Sequence, residues 1–219
     1  MQIIENIKNK DKQFGSKSIL QKICFDKLKV NPLPNNKSES WRMTSKTKLE
    51  SFLNYKLSDD FHNPILPYKS IKNNILRIII GQNKIINVKE KSYEIKSLEE
   101  KEILELIIKK IINCDTNQNW SDLLNHYLTN KKNILGLNIS GEHIPNMEII
   151  SNSKNNLFNS KTVVINVEKN TNVDITQINL GDANCALSST SYIFIGENSS
   201  VNHGIVSYGQ KKSYIINSL

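Results

Sequence analysis

The feature that most constrains this chain is a repeat near its C-terminus. Residues 163–181 read VVINVEKNTNVDITQINLG, and residues 191–209 read SYIFIGENSSVNHGIVSYG. Slid by 28 positions, Asn170 falls on Asn198, Val173 on Val201 and Gly181 on Gly209. Ile165 and Val167 fall in the same way on Ile193 and Ile195. Each copy is a strand-forming run, a short Asn/Ser/Thr/Lys turn, a second run and a glycine. A unit this small cannot bury its apolar face alone, so it must stack on its neighbours. The repeat therefore predicts the coils of a β-solenoid, with Asn170, Val173, Gly181, Asn198, Val201 and Gly209 in structural roles.

The coil pattern does not extend to the N-terminus. Residues 1–14 form a polar arm with a short helix at best. Ser16 can cap a helix to about Val30, along which Ile19, Leu20, Ile23, Cys24 and Leu28 recur at helical spacing. Asn31-Pro32 and Leu33-Pro34 end it. Residues 41–56 are partly helical, and 58–69 irregular. Ile75–Ile80, a Gly81-Gln82-Asn83 turn and Lys84–Val88 predict a β-hairpin. Leu98–Asn113 is the clearest helix, with Glu99, Glu100 and Glu102 at its start and Lys109 and Lys110 at its end. Residues 120–129 add a short helix capped by Asn119 or Ser121. From Lys131 onward only short strands follow: 134–139, 147–150, 162–167, 173–180, 189–195, 201–208 and 213–216. The expected architecture is thus an α+β N-terminal domain, residues 1–130, mostly helical with the hairpin near 75–88. The start of an all-β, right-handed parallel β-helix follows over residues 131–219, incomplete at its C-terminus.

Composition narrows function mainly by exclusion. No stretch approaches the roughly 18–20 apolar residues of a membrane helix, and the first residues lack an apolar signal core. A cytoplasmic location is expected. Cys24, Cys114 and Cys185 lie far apart without CxxC spacing, so local zinc or iron–sulfur motifs and a disulfide framework are not expected. His62, His126, His143 and His203 occur in no HxH or HExxH setting. No phosphate loop, dinucleotide fingerprint or nucleophile elbow is present, and the chain reads as no enzyme, with no catalytic, cofactor-binding or metal residue to name. The net charge of +8 permits nucleic-acid binding, but the lysines are dispersed and no such partner is expected. His203 takes the place of Ile175 in the sister coil, and reads as a packed or surface histidine.

Two stretches carry a resemblance. PLPNNKSESWRMTSKTKLESF, residues 32–52, holds a proline-bearing linker, then Glu39, Trp41, Arg42 and Thr44. NILGLNISGEHIPNMEII then leads into the coil repeat. Together they resemble the SufB/SufD family of the SUF iron–sulfur cluster assembly system, SufD most of all. The family's element order also fits, from N-terminal helices through the Trp-Arg segment and a small hairpin to β-coils. The resemblance implies a β-helical scaffold that works with a SufB-like subunit and a SufC-like ATPase. It implies an iron–sulfur cluster only in the assembled complex and none bound by this chain alone. Family members continue through further coils to a helical SufC-docking end, which has no counterpart in these 219 residues. On the family pattern the chain reads as truncated, which would impair its part in assembly. Glu39, Trp41, Arg42 and Thr44 read as a structural motif. Without the resemblance, the residues leave open an unrelated β-solenoid binding protein or a basic nucleic-acid-binding module.

Overall fold

The structure is a computed structural model that describes residues 18–30, 33–34, 45–58, 62–66, 74–82, 85–114 and 119–219. In chain order the described helices are α1 (Ile19–Val30), α2 (Lys46–Leu53), α3 (Glu100–Asn113) and α4 (Trp120–Leu128). The strands are β1 (Lys56–Leu57), β2 (Ile75–Ile79), β3 (Asn87–Lys89), β4 (Tyr93–Ser97), β5 (Ile134–Gly141) and β6 (Asn146–Ser153). They continue as β7 (Leu157–Val167), β8 (Asn172–Gly181), β9 (Ala186–Ile195), β10 (Ser200–Gly209) and β11 (Tyr214–Ser218). Two sheets result, one ordered β11-β9-β7-β5-β4-β3, with β1 beside β7, and one ordered β10-β8-β6-β2.

From β5 onward the chain winds a parallel β-solenoid of about three turns, alternating between the two sheets. Residues that meet across the stack are one coil apart, as in the Asn166–Asn138 and Asn202–Asp174 side-chain bonds, each spanning 28 positions. By the same offset Thr162 pairs with Ile134, Ile175 with Met147, Ala186 with Phe158, Ser200 with Asn172 and Tyr214 with Ala186. This register stacks apolar on apolar inside, Leu137 on Ile165 on Ile193 and Met147 on Ile175, with His203 ending the second column. Side chains alternate between faces along a strand, so a one-residue slip would send each column to the wrong side. The buried interior residues, among them Ile139, Ile149, Val163, Ile165 and Val167, form one apolar cluster.

The corners follow a finer rule. Asn156, Asn170, Asn184, Asn198 and Lys212 all have positive φ, between 51° and 63°, and recur evenly, twice per coil. Each sits third in a tight turn, as in Lys154–Leu157, whose ends join by a 3.0 Å Leu157 N–H to Lys154 C=O bond. Asparagine tolerates this left-handed region better than most residues because its short polar side chain bonds locally. Corners stacked one coil apart also bond: Asn156 N–H donates to Asn184 C=O, and Asn184 N–H to Lys211 C=O. Gly209, the last residue of β10, lies where a Cβ would collide with Ser213 Oγ at the next corner.

The predicted hairpin is displaced. Ile75–Ile79 does not fold back on the segment after Gly81; it stacks parallel on β6, with Ile78 beside Ile149. The antiparallel hairpin lies one strand later, β3 with β4, and β4 pairs antiparallel with β5. The Ile75–Ile80 run is apolar enough to close one end of the solenoid interior, where Ile78 and Ile80 are buried. Burial there outweighs the local turn signal.

The helices pack on the outer face of the β11–β3 sheet. Residues of α1, α2, α3 and α4 share one core cluster with Phe158, Val164, Ala186 and Tyr192, which point out of the solenoid. That sheet is therefore buried on both faces, which explains the near-continuous burial of β7 and β9. Helix α3 begins at a capping box, in which Glu99 N–H donates to Glu102 Oε2 at 2.7 Å.

Corner substitutions test the turn rule. Asn184→Ala is expected to lower stability by about 1 kcal/mol, whereas Asn184→Gly leaves it nearly unchanged. Urea denaturation of both variants checks this; equal losses would count against a left-handed corner.

Candidate functional site

Every residue of α4 is buried, because the helix lies between α1 and the sheet. Its sequence, WSDLLNHYL, nevertheless carries Asp122, Asn125 and His126. Buried polar groups require partners, and the outward-facing polar residues of β7 and β9 supply them. Asn125 Nδ2 donates to Lys161 C=O at 2.8 Å and to Thr162 Oγ1 at 2.9 Å. Its Oδ1 accepts from Ser160 Oγ at 2.6 Å. Thr129 Oγ1 donates to Asn125 C=O at 2.6 Å, closing the helix end.

The second half of this layer is titratable. Asp122 Oδ1 accepts from Thr190 Oγ1 at 3.3 Å and Oδ2 from the Tyr192 hydroxyl at 3.4 Å. The same hydroxyl lies 3.0 Å from His126 Nε2, and the two rings stack. Tyr192 has one proton to give, so when it donates to Asp122 it accepts from the Nε2–H of His126. Lys110 Nζ stands 5.7 Å from the Tyr192 ring centroid. Burial holds the Asp122 carboxyl above its usual range, partly offset by hydrogen bonds from Ser218, Thr190 and Tyr192 and by the Lys110 charge. Burial also pushes the Tyr192 hydroxyl up, helped by the Asp122 charge. His126 is pushed down to about 4 by burial. A neutral imidazole and a carboxyl around one hydroxyl form a buried clamp between helix and sheet. Sequence reading missed it: Asp122, Asn125 and His126 at i, i+3, i+4 look like the wet side of a surface helix.

The outermost coil contrasts with this closed layer. β10 is exposed along most of its length, and Val206 and Tyr208 are 52% and 50% exposed. Their neighbours in the coil beneath, Ile178 and Leu180, are buried with Leu66 against them. Among the described residues, β10 and β11 each have a strand on one side only. Asn170 and Asn198 occupy equivalent corners, Val173 pairs with Val201, and Gly181 with Gly209. His203 lies beside Ile175, half-buried; its Nδ1 has no hydrogen-bond partner among the described residues, and burial lowers its pKa. At the other end of the solenoid an apolar cleft of about 650 Å³ is lined by β2, Ile85–Val88, Ile134 and Leu135, with Lys131 and Lys132 at its side.

Glu39, Trp41, Arg42 and Thr44 lie outside the described residues. Cys24 is on α1, Cys114 at the end of α3 and Cys185 at the corner between β8 and β9. Burial drives the Cys24 thiol up, and holds that of Cys185 at about 11. Among the described residues no group of three or more His, Cys, Asp or Glu is arranged to hold a metal ion, and no helix is long and apolar enough to cross a membrane.

The clamp makes stability pH-dependent. Between about 6.5 and 4 the unfolded chain takes up a proton at His126 that the folded chain refuses. His126's contribution is therefore complete above pH 6.5 and falls as pH drops towards 4. Asp122, with its raised pKa, acts the opposite way: its contribution is present at low pH and lost as pH rises through the folded value. Between pH 7 and pH 5, His126→Gln is expected to lose about 2 kcal/mol less stability than the parent chain. Urea midpoints at both pH values measure the difference; parallel losses would place His126 in water.

No family model matches the chain, and no curated protein or solved structure matches it at a significant level.

Proposed function

We propose that this chain is a scaffold subunit of a SUF-type iron–sulfur cluster assembly machinery, acting beside a SufB-like subunit and a SufC-like ATPase. The observation that carries this reading is the order of the parts. Helices pack on a two-sheet parallel β-solenoid, and among the described residues its outermost strands, β10 and β11, are each paired on one side only. That is the order of elements the Trp-Arg segment and the coil repeat imply by resemblance. A scaffold needs a stiff body and a docking edge rather than a reactive cleft. The doubly buried β7 and β9 supply the body, and β10 and β11 supply the edge.

In this reading the cluster is cargo of the assembled complex. The buried thiols of Cys24 and Cys185 retain their protons at neutral pH, and a thiol that is not deprotonated is a poor iron ligand. No step involving the cluster is assigned to this chain. Its role is to hold the solenoid of a partner in register, by main-chain pairing along β10 or β11 and by burial of Val206 and Tyr208.

Co-expression with a SufB-like subunit tests the proposal. The two chains are expected to co-elute in size-exclusion chromatography. Val206→Lys, an exposed change on an edge strand, is expected to weaken the complex about tenfold or more while leaving the melting temperature of the free chain within a degree or two. Separate elution of the parent chain would overturn the proposal. Salt-sensitive DNA binding in its place would favour the nucleic-acid reading.

A further inference from the structure

One phase of the coil interior is polar. On one sheet Lys161 stacks on Ser189 and Ser189 on Asn217. On the facing sheet Ser151 stacks on Asn179 and Asn179 on Ser207. Hydrogen bonds tie this seam together. Lys161 Nζ donates to Asn133 Oδ1 at 2.7 Å, one coil away, and Gln177 Nε2 donates to Ser189 Oγ at 2.8 Å. Asn179 Nδ2 donates to Asn217 Oδ1 at 2.9 Å, and Asn217 Nδ2 to Ser207 Oγ at 2.7 Å.

Three oxygens in the seam stand apart. Ser151 Oγ, Asn159 Oδ1 and Asn179 Oδ1 are buried and have no hydrogen-bond partner among the described residues. Their residues are 0%, 1% and 0% exposed. They belong to one neighbourhood. Ser151 and Asn179 are ladder neighbours. Asn159 Nδ2 donates to the hydroxyl of Ser153, the next residue on the same face of β6 as Ser151. Two of the three oxygens can only accept, and the hydroxyl can also donate. A water molecule complements that set, with two protons for the amide oxygens and a lone pair for the Ser151 hydroxyl. A metal cation would also suit oxygen ligands, but the Lys161 ammonium lies two residues from Asn159 in the same seam and repels it.

We propose that the solenoid interior binds an ordered water between Ser151 Oγ, Asn159 Oδ1 and Asn179 Oδ1, as a fixed part of the fold. The water links the two sheets at the level where the apolar columns give way to polar ones. It lets stacked polar residues remain inside the coils without an orphaned oxygen.

A crystal structure of the full chain at about 1.5 Å or better tests this, together with water–amide cross-relaxation NMR on the same protein. The expected result is a solvent peak about 2.6–3.2 Å from all three oxygens, with long-lived water contacts at the amides of residues 151, 159 and 179. Ser151→Ala is expected to keep the peak on the two amide oxygens, and Ser151→Val to expel it by filling the space. Reversed amides at Asn159 or Asn179 that pair their oxygens within the protein, with no solvent peak, would overturn the proposal. So would an ion at about 2.4 Å from the three oxygens. If a variant fails to fold, the peak and the cross-relaxation of the parent chain decide the matter alone.

Discussion

Everything in this structure depends on one constraint, the stacking of each coil on the one before it without drift. Five strand pairs obey it, from β5 with β7 to β9 with β11. The constraint is enforced twice. Inside, columns such as Leu137–Ile165–Ile193 tolerate no slip, because a shift of one residue exchanges core for surface. At the corners, a left-handed residue twice per coil turns the chain at a fixed place, and corner bonds to corner across coils. Either device alone would leave the register soft.

Stacking also decides where the helices go. The outer face of the β11–β3 sheet carries Phe158, Val164, Ala186 and Tyr192, which water would leave as an exposed apolar patch. The helices cover it, and α4 is buried entirely as a result. Its polar residues are then held by Ser160, Thr162, Thr190 and Tyr192, so the cover is bonded as well as packed. Protection falls off along the solenoid axis. β7 and β9 are closed on both faces, while among the described residues β10 and β11 are paired on one side only. Local opening is expected to start at that outer coil, where the least apolar surface would be exposed anew.

Much of this was legible in the sequence, and the failures have physical causes. The repeat showed the solenoid because interior and corner residues recur at the same phase. The half-period was also written there, as Asn156, Asn170, Asn184 and Asn198, but it is carried by single asparagines between unlike strands. β7 and β9 begin several residues before the apolar runs do. Asn159–Thr162 and Ser188–Ser191 resemble loop, yet they are strand because they line the seam and face α4. The hairpin was misplaced because Gly81-Gln82 is a good local turn, while the partner of Ile75–Ile79 lies far along the chain at Asn146–Ile150. Long-range pairing of that kind leaves no periodic trace. The candidate site was the least legible part. The clamp joins residues about 66 to 70 positions apart, and an edge is defined by what does not lie beside it.

The most direct test of the account is the set of interstrand nuclear Overhauser contacts in the labelled protein. Parallel-sheet contacts are expected between residues one coil apart, such as Val173 with Val201, Ile165 with Ile193 and Leu187 with Ile215. Antiparallel contacts among these strands, or parallel contacts at any other offset, would contradict it.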